Sequence, residues 1–217
     1  MGYAVRLMRM EDIPQVNEID KEAFPTQWPP PSFRRDLNSR LIRYLVALEE
    51  SNPYASIAVS KYKAEGNLQR LVSKISHLLN KEHLSSDEGI AQNKHDILGY
   101  ASMWLMVDEA HLTSIAVRGT HRRRGVGELL LISIINSAAQ LNAQIVTLEV
   151  RASNLEAQAL YEKYGFTRVG MRRSYYSDDG EDAVIMSTER ISSGSYQARF
   201  QELRRNYIQR WGAIQGI

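Results

Sequence analysis

The segment from Gly125 to Leu141 constrains the fold most. Leu129, Leu130, Leu131, Ile132, Ile134, Ile135 and Leu141 put apolar side chains on nearly every side of the helix predicted there. Such a helix must be buried, so the rest of the chain has to cover it. With 217 residues, 43% of them hydrophobic, one domain is large enough to do so, because single cores commonly stop growing at about 250 residues.

The flanking sequence predicts strands at Ile97 to Val107 and His111 to Val117 before this helix, and at Ile145 to Arg151 after it. A helix at about Asn154 to Tyr164 and strands at Phe166 to Arg173 and Asp182 to Thr188 follow. Nearer the start, alternation predicts a strand at Tyr3 to Arg9, then a helix running to Ala23 that Phe24-Pro25 ends, because proline lacks a donor and disfavours helix at the residue before it. Pro25 to Pro31 holds four of the six prolines, with Trp28 among them, and reads as a stiff surface loop. A short helix near Ser32 to Asn38 and a strand near Arg43 to Glu49 complete this part.

Residues 50 to about 95 read as an insertion, with Leu68, Leu71, Val72, Ile75, Leu78 and Leu79 on one helical face and a polar loop after them. The domain is therefore expected over 1–190, interrupted by this insertion. A linker and an amphipathic helix are expected over 191–217, with Tyr196, Phe200, Leu203, Tyr207 and Trp211 on one face and Arg199, Arg204, Arg205 and Arg210 on the other. That face is expected to dock on the protein, because large apolar groups are costly to leave wet. Contact of the arginines with RNA or a partner is the alternative.

No window reaches the 18 or so apolar residues of a membrane span, and Met1 to Arg6 lacks the apolar run of a signal peptide, so the expected location is the cytoplasm, without membrane contact. With no cysteine, disulfides, thiolate ligands and cysteine nucleophiles are excluded, and no metal site is expected. A formal charge of +2 is too small for bulk nucleic-acid binding, so direct contact with nucleic acid is not expected.

Three local patterns carry chemistry. In the first, Arg122, Arg123, Arg124, Gly125, Val126 and Gly127 open the buried helix. The glycines allow a tight turn and close approach of a ligand to outward-facing amides, which suits a pyrophosphate. A plain helix start with a solvated basic run is the alternative. Leu148 to Asn154 form the second pattern, where alternation places Thr147, Glu149 and Arg151 on one face. A lone strand glutamate is commonly an ion-pair member. In the third, Ala159 to Phe166, a helix ends at Gly165 and carries Tyr161, a position that by itself fits a core tyrosine.

In this order the patterns resemble the GNAT acetyltransferase superfamily, and within it the RimI-type ribosomal-protein-alanine N-acetyltransferases. The match is carried by Asp108-Glu109-Ala110, Ile115-Ala116-Val117, RRRGVG at 122–127, LEVRASN at 148–154, ALYEKYGF at 159–166, Arg172 to Tyr176, Gly180 to Ala183 and Met186. It covers residues 97–190 strongly and about 1–48 weakly. The resemblance implies an α/β (α+β) fold, with a mixed, mostly antiparallel sheet of about seven strands flanked by helices.

It also implies an acetyl-coenzyme A site in which Ile115, Ala116 and Val117 run beside the pantetheine arm, Arg122 to Gly127 hold the pyrophosphate, and Asn154 contacts the cosubstrate. Glu149 matches the general base and Tyr161 the general acid, with the Val117 amide as an oxyanion donor. Phe24 and Trp28 on one side, and Tyr175 and Tyr176 on the other, are expected to form a peptide groove. Gly119-Thr120 stands where a proline-containing turn is common, and Glu128 where a small or basic residue is common, which predicts weaker cosubstrate affinity.

The implied acceptor is a protein N-terminus, in particular that of a ribosomal protein beginning with Ala or Ser, attacked directly in a ternary complex. An α-amine with a pKa of about 7.8 is partly neutral at pH 7, whereas a lysine at about 10.4 is almost wholly charged, so a carboxylate base has the easier task on the α-amine. Asp178, Asp179, Glu181 and Asp182 would favour arginines soon after that terminus, or else form a solvated hairpin. A small-molecule acetyltransferase and a noncatalytic acetyl-coenzyme A module are the other classes; the second would not need both Glu149 and Tyr161.

Overall fold

The computed structural model describes residues 2–26, 31–49, 96–212 and 214–216. The expected insertion and Trp28 lie outside the described residues. Eight strands make one sheet: β1 (Tyr3–Leu7), β2 (Ile42–Glu49), β3 (Ile97–Met106), β4 (Glu109–Val117), β5 (Ile145–Arg151), β6 (Phe166–Arg172), β7 (Ala183–Thr188) and β8 (Ile214–Gly216). Their order is β6-β7-β5-β4-β3-β2-β1-β8. Seven of them answer to the expected strands. The eighth was not foreseen, since three residues, Ile-Gln-Gly, carry no alternation to read.

Helices α1 (Ile13–Ala23), α2 (Phe33–Asp36), α3 (Val126–Gln140), α4 (Leu155–Lys163) and α5 (Gly194–Trp211) cover the sheet. Pro14 sits in the first turn of α1, where its missing N–H costs nothing. Asp12, just before it, takes a two-pronged ion pair from Arg6 at 2.6 and 2.9 Å and a hydrogen bond from the Arg9 amide, which fixes α1 to β1. Helix α3 is the apolar segment of the sequence. Val126, Leu129 to Ile135, Ser137 and Ala138 are all buried along it, and each enclosed leucine or isoleucine is worth about 1.5–3 kcal/mol.

Two cores lie on opposite faces. Helix α3 packs across β1 to β4 on one, with Leu45, Ala101, Met103, Leu112, Val146 and Leu148 beneath it. On the other, α1 brings Val16 and Ile19 onto Val46, Tyr100 and Ala116. The tail helix α5 adds Tyr196, Phe200 and Tyr207 to the α3 core, so its aromatic face is docked.

Among the described residues, only β4 with β5 and β1 with β8 pair in parallel. A parallel neighbour needs a crossover, and α3 supplies it between β4 and β5. Pairing of β4 with β3 slips between Ser102 and Met103, so Thr113 is an extra residue and β4 bulges there. A bulge bends its strand and increases its twist.

Candidate active site

The bulge has a direct effect next door. The β4–β5 ladder runs from Glu109↔Ile145 to Leu112↔Leu148 and stops, although β4 continues to Val117 and β5 to Arg151. Beyond that point the strands part. Ile115, Ala116 and Val117 therefore border a gap in which their β5-facing backbone groups have no strand partner.

At the end of β4 the chain makes a 3-10 turn, Gly119–His121, and enters the basic turn. Glu22 of α1 accepts from the Gly119 amide at 2.8 Å, and Glu18 pairs with Arg118 at 3.0 Å. A proline at 119 would lose the first of these bonds, which accounts for the departure noted at Gly119-Thr120. Gly125 caps α3 with φ +83°, a left-handed conformation that favours glycine. Gly127 is different. A Cβ there would meet only Val117 Cγ2, at an ordinary 3.7 Å, so packing within the protein does not require glycine.

Arg122, Arg123 and Arg124 are exposed around this turn. Arg122 donates to the Val117 carbonyl at 3.3 Å, and Arg123 pairs with Glu156 of α4 at 2.6 Å. Glu128 does not confront the turn with a bare charge. Its carboxylate takes Lys163 at 2.5 Å and the Tyr164 hydroxyl at 2.7 Å. Asn154 caps α4, its side-chain oxygen accepting from the Ala157 amide at 3.1 Å.

On the α1 face, Glu149 is only 7% exposed, with His111 Nε2 2.8 Å from Oε2 and Arg172 Nη2 3.0 Å from Oε1. Thr147 donates its single hydroxyl proton to Glu109, so its oxygen accepts from His111 Nδ1 at 3.0 Å. This count assigns a proton to Nδ1 and leaves Nε2 facing Oε2, a contact that becomes an ion pair when Nε2 also carries a proton. Sequence reading missed His111 altogether. Its signal was alternation: Glu109 and His111 on β4 share a face with Thr147 and Glu149 on β5, but only the observed register brings them together.

Burial pushes the Tyr161 hydroxyl well above the ordinary tyrosine value, and Tyr176 nearby adds to the shift. Burial first, and then Tyr175, Glu149 and Glu181 against the opposing Arg151, push Tyr176 up to about 12. Tyr176 thus feels both Glu149 and Tyr161. Its ring lies under the Arg151 guanidinium at 3.9 Å and meets Tyr175, which is 45% exposed, edge to face at 5.2 Å.

The acidic hairpin is turned inward. Arg151 bonds both oxygens of Asp178 at 2.7 and 2.8 Å, both of Asp179 at 2.8 and 2.9 Å, and Glu181 at 2.9 Å. Glu181 also accepts from the Ser153 amide, and Asp182 from that of Ser174. Arg151 holds Asp178 far below the usual carboxylate range. The expectation that these four carboxylates wait for substrate arginines is corrected on this point, because a guanidinium of the protein already occupies three of them. Thr26 then donates to Asp178, joining the loop after Phe24 to the hairpin. Phe24 is partly buried against the α1 core.

Residues 13–166 match the acetyltransferase (GNAT) family. A Bacillus subtilis (strain 168) protein provisionally described as a ribosomal protein bS18-alanine N-acetyltransferase is 34% identical over 183 residues, 84% of this chain and 93% of that one. An N-alpha-acetyltransferase of Saccharolobus solfataricus is 28% identical over 186 residues, 85% of this chain and 92% of its own length. The crystal structure of the Escherichia coli ribosomal-protein-S18-alanine N-acetyltransferase shares the fold, with a TM-score of 0.60 at 24% identity over 88% of this chain and 96% of that one. The parted strands, the glycine turn and these likenesses agree, and the chain belongs to the GNAT family of N-acetyltransferases.

Proposed function

We propose that this enzyme acetylates the N-terminal α-amine of a protein, in particular a ribosomal protein beginning with Ala or Ser, in the cytoplasm. The observation that carries the reading is the place of Glu149: its side chain is withdrawn from solvent just past the point where β4 and β5 part, against His111 and Arg172. The relatives named above as alanine and N-alpha acetyltransferases support the same acceptor. Among the described residues no helix is long and apolar enough to cross a membrane.

The residues present fit acetyl-coenzyme A. The gap beside Ile115 to Val117 takes an extended arm that completes the interrupted ladder. The free amides of the α3 start, with Arg122, Arg123 and Arg124, suit a pyrophosphate, and the open space above Gly127 lets it come close. The Asn154 side-chain nitrogen Nδ2, with no hydrogen bond among the described residues, is available to the same ligand. When bound, the thioester supplies an activated acetyl group.

The chain's own groups do the rest. Glu149, directly or through a water, takes the proton that the α-amine must lose before it attacks. His111 shares that proton at Nε2, and Thr147 and Glu109 extend the path toward solvent. The Val117 amide faces the developing oxyanion. Tyr161, kept protonated by burial, holds the proton that the departing sulfur needs. Phe24, Tyr175 and Tyr176 border the peptide.

Mass spectrometry of peptides differing only in their first residue, set against free lysine and spermidine, tests the reading. We expect acetyl on the α-amine of the Ala-initiated peptide. Transfer to spermidine or a lysine side chain, with none to any peptide α-amine, would replace it with a small-amine acetyltransferase.

A further inference from the structure

The tail lies beyond the span matching the family, yet it reaches the basic turn. A Cβ on Gly125 would lie 2.8 Å from Trp211 Cδ2, 2.8 Å from Cε2 and 2.9 Å from Nε1, closer than real Cβ atoms approach anything. Three neighbouring ring atoms at nearly one distance mean that the indole presents its face to this glycine. Gly125 is the cap whose carbonyl accepts the first helical bond, from Leu129 at 2.9 Å, so its place sets the direction of the free amides at Val126, Gly127 and Glu128.

Trp211 is itself held on both sides. Before it, the buried Tyr207 and Phe200 anchor α5, Tyr196 donates to the Tyr164 carbonyl at 3.1 Å, and Tyr164 in turn bonds Glu128 in the first turn of α3. After it, Gly212 turns the chain with φ +97° so that β8 pairs with Tyr3 to Val5 of β1. The indole Nε1 is buried without an acceptor among the described residues, so shape rather than a hydrogen bond keeps the ring in place.

We infer that Trp211 is a positioning residue for acetyl-coenzyme A, pressing on Gly125 so that the α3 amides hold the geometry a pyrophosphate needs. The inference rests on the cosubstrate site proposed above, but not on the identity of the acceptor. It predicts a defect confined to ligands that carry the nucleotide end.

The test is titration of the full chain and Trp211→Ala with coenzyme A and with pantetheine, which lacks the pyrophosphate. Trp211→Ala should weaken coenzyme A on the order of tenfold, as small misplacements of a built site do, and leave pantetheine unchanged. Equal coenzyme A affinities in both proteins would overturn the inference. So would equal losses for both ligands, which would make Trp211 a general support of the fold. Should Trp211→Ala fail to fold, Trp211→Phe keeps an apolar anchor, and the same two comparisons decide. Wild type that binds coenzyme A but acetylates no peptide would instead sink the acceptor assignment and leave this result standing.

Discussion

On the proposed cosubstrate side of the β4–β5 gap, the groups offered to the ligand are mostly neighbours in sequence, although Glu156, Lys163 and Trp211 brace them from farther along the chain. Gly125, Gly127 and the arginines beside them lie on one continuous stretch, and Asn154 caps the helix it begins. On the acceptor side, contacts bridge distant sequence: Arg151 reaches carboxylates 27 to 30 residues away, His111 reaches Thr147 across 36, and Thr26 reaches Asp178 across 152. Backbone geometry shapes the first side, and a charged side-chain network shapes the second. Binding the donor and choosing the acceptor should therefore fail separately when residues are changed.

The largest effect expected from breaking this division is at Glu149. Glu149→Gln keeps the shape and removes the proposed base, so kcat for an Ala-initiated peptide should fall about a thousandfold, while coenzyme A affinity measured by titration stays the same. A matching loss of coenzyme A binding would show that the two sides are one unit.

Arg151→Gln should act next. It releases Asp178, Asp179 and Glu181 and removes the cation from the Tyr176 ring, so the hairpin loses its latch. We expect about a tenfold rise in peptide KM, with coenzyme A affinity unchanged, because the site has loosened without losing its base. Unchanged peptide kinetics would mean that backbone bonds alone, such as Tyr176 N–H to the Glu181 carbonyl, hold the groove.

The smallest expected effect concerns pH. As the proposed general acid, Tyr161 would donate only while protonated, and burial raises its pKa, so the donor form persists below that raised value and is lost only as pH rises through it. The kcat profile should show no alkaline fall up to about pH 10, the ordinary tyrosine value. A fall near pH 8 or 9 that disappears in Tyr161→Phe would show that the hydroxyl is not shielded as the fold implies.

The same division governs what was legible in the sequence. The glycine turn, the buried α3 and the α4 end at Gly165 each rest on neighbours in the chain, so spacing alone revealed them. The bulge at Thr113 did not show, because nothing in Leu112-Thr113-Ser114 differs from an ordinary strand and only pairing with Ser102 creates it. His111 was silent for a similar reason, since a strand histidine has no partner until the β4–β5 register is known. The acidic hairpin was visible as charge but misread as to its occupant, because Arg151 was read as a strand-face residue and its reach onto the hairpin was not foreseen. Trp211 was legible as one member of an apolar face; that this face ends on Gly125 was not.

The bulge at Thr113 also gives the ligand a thermodynamic role. A sheet whose ladder is interrupted is finished only when another molecule enters the gap, so cosubstrate occupancy and the folding equilibrium are linked. A ligand at one hundred times its dissociation constant adds about 2.7 kcal/mol to the folded state by mass action. At the site proposed here, acetyl-coenzyme A would act as a missing strand, and its cellular supply would become part of what holds the enzyme together.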